Sequence, residues 1–425
     1  MEEMRVYLGL RVYMSVVNLP ERSMYWSTDW LFGQYFVPNV MTRDRFDKIS
    51  QYLHCNDSSL NPPTGQPGHD LLHHIRPVHD IILHQCLSNY NPNRDQSVDE
   101  AMVKFRGRLS FKQYLPLKPI KHGIKVWSRA DPNNGYLHEF QVYTGKQGTS
   151  EAGLTFRVVD DLTKKIQGKH HIVTVDNYFM SPALAAHLLK MKTYCRGTID
   201  RKRKGFPGNM LDPKSLKQKG EFKIVQNRDL TATIWKDKKV VNFFSSYDQS
   251  NSVQHVMRRN KEGERVPVPC PPVVYAYNET MNGVDRSDQI RSLYSTYRKS
   301  KRWWLYLFWY LFDVCLSNAF IMMKESVNHQ MLSRNGRPVT RTVIDFKKNL
   351  AKQLIGDFRV QRKRHLPQST DPHGTAHFIR AGTKGRCRHC SKRNIRKEPR
   401  WICSSCNVNL CIECFEPYHV PAPET

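Results

Sequence analysis

The sequence predicts an α/β core, entered from an all-α segment and followed by a small metal-binding domain. Three observations predict it. From Ser97 to Met191, short apolar runs bounded by Gly, Pro and Asn alternate with helical stretches. The residues ahead of Ser97 follow a helical spacing instead. Six of the eleven cysteines crowd in pairs between Cys387 and Cys414.

Taken in order, Val6, Leu8, Leu10, Val12, Met14, Val16 and Val17 leave no polar lead-in, so the first thirty residues read as apolar helix. Thr42 is placed to cap a second helix over 42–54, the Pro-, Ser- and Asn-rich stretch 56–68 is a loop, and a third helix is expected from His79 to Tyr90. Strands follow around Val98 to Phe105, Ile124 to Trp127 and Phe140 to Tyr143. Helix is expected over Gly153 to Leu162, strand over His171 to Val175, and helix again over Ser181 to Met191. From Lys202 to Pro272 the chain is basic and carries strand-like runs at Glu221 to Val225, Thr231 to Trp235 and Val240 to Ser245. After the prolines 267, 269, 271 and 272, helix is expected to resume at Val284 and to continue through an aromatic helix and a basic amphipathic segment ending near His365.

The expected domain layout is a first helical part over 1–93, the α/β domain over 94–202, a β-rich module over 203–272 and a short segment over 273–294. A second helical part over 295–365, a linker over 366–382 and a cysteine-rich domain over 383–421 complete it.

A formal charge of +28, with basic runs such as Arg201 to Lys204 and Arg362 to Arg364, describes a surface that attracts a polyanion. Nucleic acid is the expected partner, and a small-molecule substrate is not. The cysteine distribution suits a reducing compartment with one metal module, not a disulfide scaffold. No signal-peptide pattern opens the chain, so secretion is not expected. The stretch Trp303 to Met323 is about long enough to span a bilayer. It carries Asp313, Ser317 and Asn318, and aromatic residues on every face, which fits a buried core helix and no membrane.

Three acidic residues stand out by position. Asp99 lies at the onset of the first strands, Asp176 directly after an apolar strand, and Asp285 at a helix start. Strand ends are where α/β folds place chemistry. Phosphodiester cleavage in a two-metal site needs carboxylates from separate elements that converge on two Mg²⁺ ions, a hard cation that prefers oxygen ligands. Each aspartate alone is more often a cap or turn residue. Asp288, one helical turn beyond Asp285, either supports the same metal or pairs with Arg291.

At the C-terminal end, Cys387 and Cys390, Cys403 and Cys406, and Cys411 and Cys414 form three pairs with two residues inside each, and His419 follows. Such pairs bind Zn²⁺, and two tetrahedral ions need about eight ligands. One ligand beyond these seven is therefore to be found, from His377 or His389, the latter awkwardly placed inside the first pair. Three interleaved pairs also describe a RING-like or PHD-like cross-brace of a ubiquitin ligase or histone-tail reader. The basic loop of Lys392, Arg393, Arg396, Lys397 and Arg400 favours phosphate over those partners.

These residues carry a family resemblance. Ser97-Val98-Asp99-Glu100 with Phe105-Arg106-Gly107-Arg108 and Lys118-Pro119, then Val175-Asp176-Asn177-Tyr178-Phe179, then Asn282 through Gln289, resemble the three catalytic blocks of piggyBac transposases. Leu31-Phe32-Gly33, Met41 through Phe46 and Arg302-Trp303-Trp304 resemble that family's helical DNA-binding and dimerisation domain. The resemblance implies an RNase H-like catalytic core with a β-rich insertion between the second and third aspartates, so that 273–294 is the last part of the α/β domain. It implies that Asp99, Asp176 and Asp285 hold two catalytic Mg²⁺ ions, with Asp288 auxiliary, and that the C-terminal domain reads transposon-end DNA.

Implied too is the chemistry. Water attacks at a transposon end, the freed 3′-hydroxyl is the next nucleophile, and the element joins a TTAA target, with seamless excision. The family pattern favours His377, ahead of Phe378, as the eighth zinc ligand. A homodimer on double-stranded DNA in the nucleus is expected. The alternative is a domesticated descendant that binds DNA without cutting it. Family members carry residues ahead of the point where this sequence starts, so the first helical part is expected to be incomplete.

Overall fold

The computed structural model describes residues 2–33, 35–116, 118–145, 153–248, 252–327, 331–332, 335–339, 341–359 and 377–419. The chain divides into two compact units, Met1–Arg359 and Val360–Thr425.

The first unit opens with helix α1 (Glu2–Val16), whose apolar run ends well before residue 30; a single 3₁₀ turn over Arg22–Trp26 and helix α2 (Phe36–Val40) follow. Helix α3 (Arg43–Tyr52) starts where Thr42 caps it, its hydroxyl accepting from the Arg45 N–H at 3.3 Å. Helix α4 (Arg76–Ser88) leads into strands β1 (Asp95–Lys104), β2 (Gln113–Tyr114), β3 (His122–Ala130) and β4 (Leu137–Val142). Helix α5 (Leu154–Thr163), strand β5 (Ile172–Val175), helix α6 (Pro182–Lys190) and strand β6 (Tyr194–Thr198) then alternate. Ser181 caps α6 and Pro182 fills its first turn, where a missing N–H costs nothing.

Strands β7 (Phe222–Asn227), β8 (Leu230–Lys236) and β9 (Val240–Ser245) come from the basic segment, followed by a hairpin of β10 (Gln254–Arg259) and β11 (Arg265–Cys270). The segment does not build a separate sheet from β7–β9. It extends the main one, because β9 pairs antiparallel with β6 from Arg196↔Ser245 to Thr198↔Phe243. The resulting nine strands run β2-β3-β1-β5-β6-β9-β8-β7, with β4 also on β3. The pairs β1–β5 and β5–β6 are parallel and the rest antiparallel. Helices α5 and α6 cover this sheet through Val158, Val159, Leu162, Leu184 and Leu188, packed on Val173 and Val175.

Helix resumes earlier than expected. Helix α7 (Pro272–Thr280) begins directly behind the prolines, with Pro272 in its first turn, and only then comes α8 (Gly283–Ser292). The aromatic stretch forms helix α9 (Trp304–Glu325), with Asp313 in its buried interior. That carboxylate accepts from the Ser295 and Thr296 hydroxyls and the Thr296 N–H, which satisfies it without water. Short strands β12 (Met331–Leu332) and β13 (Pro338–Val339) precede helix α10 (Val343–Ile355), which Thr342 and Asp345 start with a reciprocal capping box. The expected basic segment continues to His365, but 360–365 and most of the linker lie outside the described residues.

The second unit contains strand β14 (Ile379–Ala381), helix α11 (Arg388–Lys392), strand β15 (Trp401–Cys403) and helix α12 (Ile412–His419). Residues 379–381, expected to be linker, pair antiparallel with β15 from Ile379↔Cys403 to Ala381↔Trp401.

Candidate active site and metal centres

Asp99 sits in the middle of β1, not at its onset, and Asp176 directly follows β5, the parallel neighbour of β1. The Asp176 carboxylate accepts from the Tyr178 and Phe179 N–H groups at 3.0 and 3.3 Å, which holds it against the strand end. The guanidinium of Arg203 donates to the Asn177 and Tyr178 carbonyls at 2.7 and 3.1 Å and pins the same turn.

Asp285 arrives from the far end of the sequence on the first turn of α8. Two bonds tie that region to the strands. The Ser97 hydroxyl donates to the Met281 carbonyl at 2.9 Å, and the Thr174 and Thr280 hydroxyls meet at 2.7 Å. Gly283 allows the close approach, since a Cβ there would stand 2.8 Å from the Ser97 Cβ and 3.0 Å from the Ala130 carbonyl oxygen. Asp288 pairs with Arg291 at 3.0 Å, and that guanidinium lies 4.5 Å over the Tyr310 ring. Of the two roles open to Asp288, the structure shows the ion pair.

The acids meet at two lysines. The Lys118 ammonium lies 3.6 Å from Asp99 and 3.4 Å from the Glu100 carboxylate, and donates to the Glu100 carbonyl at 3.2 Å. Burial alone would lower its pKa, but Asp99, Glu100 and Asp285 together raise it. Lys125 stands 3.9 Å from Glu100 and 4.6 Å over the Tyr178 ring. Burial, then the neighbouring Glu100 charge, pushes the Asp99 carboxyl up to about 7, and the same two causes raise Asp176. Burial also raises Asp288, against the pull of Arg291. A cleft of about 440 Å³ opens beside this cluster, lined by Glu100, Lys118, Asp285, Asp288 and Arg291 among others.

Sequence reasoning assigns no role to Glu100, Lys118 or Lys125, and places Arg203 only in a basic run expected to attract a polyanion. Lys118 and Glu100 stood inside the quoted motifs, and a lysine preceding a proline in a loop gives no other signal of its partners.

The second unit holds two sets of four ligand residues, the ligand atoms within each set lying within 4.8 Å of one another: Cys387, Cys390, Cys411 and Cys414 in one, and His377, Cys403, Cys406 and His419 in the other. The first and third cysteine pairs share one site, and the second pair sits with two histidines. His389 lies on α11 outside both sets. Backbone N–H groups point at sulfur: Cys390 and Cys411 donate to Cys387 Sγ at 3.5 and 3.3 Å, and Cys406 to Cys403 Sγ at 3.4 Å. Burial works against ionisation of Cys387, yet these donors hold its thiol down at about 7. The donor set suits a tetrahedral soft-ligand cation.

A family model described as Transposase IS4 matches residues 1–320, and one described as a DDE_Tnp_1-like zinc finger matches residues 371–420. PiggyBac transposable element-derived protein 3 of Homo sapiens is 27% identical over 442 residues, covering 98% of this chain and 70% of that protein. PiggyBac transposable element-derived protein 2, also human, is 27% identical over 333 residues, or 75% of this chain and 55% of the relative. The fold is similar to that in a cryo-EM structure of a piggyBac transposase synaptic complex with hairpin DNA. The TM-score is 0.71 at 27% identity, over 97% of this chain and 88% of that one. The mixed sheet, the helices around it, the paired Cys and His clusters and these matches agree, and the chain belongs to the Transposase IS4 family, in its piggyBac-type branch.

Proposed function

We propose that this chain is a DNA transposase that cuts at transposon ends and joins them to target DNA. The observation that carries the reading is the set of acids from three separate elements around Lys118: Asp99 within β1, Asp176 after β5 and Asp285 on α8. Their attachment to a mixed sheet supports an RNase H-like core, with residues 203–272 as its insertion.

The donor chemistry of the three aspartates suits Mg²⁺. Asp99, Asp176 and Asp285 offer hard oxygen donors, and a bound cation would offset the burial and the like-charge crowding by Glu100 that hold the Asp99 carboxyl at about 7. When bound, the ions stabilise the attacking and leaving oxygens of phosphodiester cleavage. The Tyr178 and Phe179 amides and Arg203 keep Asp176 and its turn aimed, and the Ser97–Met281 bond with the close approach at Gly283 seats α8 so that it presents Asp285.

Two Zn²⁺ ions, one per Cys and His set, are structural, because eight donors are spent on holding four short elements together. Double-stranded DNA is the partner, which the +28 charge and the DNA in the similar synaptic complex support. The basic residues from Lys392 to Arg400 are suited to phosphates at transposon ends. Joining at TTAA, a homodimer on DNA and a nuclear location rest on the family resemblance. A domesticated role, binding without cutting, is the second reading, favoured by human relatives that are themselves transposable element-derived.

The test is a nicking and strand-transfer assay on labelled DNA carrying the flanking terminal repeats and a TTAA site, with Mg²⁺ supplied or withheld. Metal-dependent cutting at the repeat end is expected, and tight binding without cutting selects the domesticated reading.

A further inference from the structure

We propose that the Lys118 ammonium is a tethered counter-ion of the acidic cluster, which divalent ions must displace when they load. Lys118 thereby sets the ion concentration at which the site fills. The inference rests on the two-metal reading of Asp99, Asp176 and Asp285.

Four observations support it. The ammonium lies within 3.6 Å of carboxylate oxygens of both Asp99 and Glu100, where a cation bound by Asp99 would have to approach. It also experiences the charge of Asp285, so one cation serves acids from both β1 and α8. It comes from the loop after β2, held at its base by the Leu115 N–H bond to the Lys121 carbonyl at 2.8 Å, on a stem long enough to withdraw. Finally, it lines the cleft of about 440 Å³, which gives the displaced side chain a place to go. Lys125 is differently placed. Its ammonium is farther from the acids, at 3.9 Å from Glu100, and is held over the Tyr178 ring. Lys118 is therefore the exchangeable cation and Lys125 the fixed one.

The physical logic is electrostatic. Without a cation, Asp99, Glu100 and Asp285 would repel one another, and the carboxylates would be splayed or protonated. An ammonium on a flexible stem keeps the ion-free site assembled, yet it competes with the ions the site is built to take.

Two measurements test this on the full chain with its zinc retained. In the first, Mn²⁺ binding is followed by electron paramagnetic resonance for the parent and Lys118→Met. Removing one competing charge is expected to tighten Mn²⁺ binding about tenfold. In the second, amine acylation of Lys118 in the parent is read by mass spectrometry, with and without Mn²⁺. Labelling is expected to rise on ion loading as the ammonium leaves the carboxylates. Mn²⁺ binding that is unchanged or weaker in Lys118→Met overturns the inference, as does Lys118 labelling that stays level or falls. If the parent binds no Mn²⁺ beyond an Asp99→Asn/Asp176→Asn variant, the metal reading itself fails, and this inference with it.

Discussion

Asp176 shows how much one side chain is prepared for. Two amides and the turn pinned by Arg203 hold it at the end of β5, beside β1. Asp176→Asn keeps the shape and the turn but removes the charge. It is expected to abolish Mg²⁺-dependent nicking while leaving DNA retention in a gel-shift assay largely unchanged; nicking at the parent rate would refute the assignment. A second residue-scale prediction concerns His138 on β4, whose ring lies 4.8 Å from that of Tyr136. Burial, then the nearby Arg129 charge, pushes its pKa down to about 2. The unfolded chain therefore binds a proton below the ordinary histidine value while the folded chain does not. The stability that neutral His138 contributes is complete above about pH 6.5 and is lost as pH falls, on the order of 2 kcal/mol by pH 5. Urea unfolding at pH 7.5 and 5 should show a steeper loss for the parent than for His138→Gln, and parallel losses would contradict it. His79 and His171 shift the same way, so the difference between the two proteins isolates His138.

Elements decide whether the acids meet at all. Helix α8 rests on β1 and β3 only because Gly283 has no side chain. Gly283→Ala is expected to lift the helix, lowering stability by about 1–3 kcal/mol in urea titration and weakening Mn²⁺ binding through Asp285. Full stability with full ion binding would show that the contact is not needed. At this scale the local signals were legible where they were chemical. Thr42 caps a helix, a helix starts at Ser181, and the apolar runs at 172–175 and 240–245 are strands. They were illegible where pairing decides. Strand β6, with the polar sequence Tyr-Cys-Arg-Gly-Thr, is held by β5 and β9 on either side. Strand β11 carries Pro267 and Pro269, which read as breakers, yet in a two-stranded hairpin an edge tolerates their missing N–H groups.

Taken whole, the chain is two units with different sources of stability. The first has apolar clusters on a nine-stranded sheet, and the second has cysteines and histidines where a core would be. Chelating zinc is therefore expected to unfold residues 377–419 and leave the rest intact, because thiolate sites supply much of the folding energy of such small domains. Circular dichroism would show a small loss, and a collapse of the main helical signal would contradict the division. With a charge of +28, DNA affinity is expected to fall steeply with salt, with a log–log slope of about −0.9 per phosphate neutralised. A flat salt response in a filter-binding titration would remove phosphate contact as the basis of binding.

The cysteine spacing, the charge and the positions of Asp176 after an apolar strand and Asp285 at a helix start were determined by the sequence alone, because ligand spacing, net charge and element ends are local properties; Asp99, expected at a strand onset, lies mid-strand in β1. Only the tertiary structure decided that β7–β9 extend the main sheet, that Asp288 pairs with Arg291, and that Lys118 sits among Asp99, Glu100 and Asp285. Each of these depends on residues far apart in the chain or on which of several neighbours a flexible charged side chain selects. Helical spacing brings Asp288 within reach of Arg291 but does not choose that partner. Such a choice is made by burial and by the field of the assembled site, which no window of sequence contains.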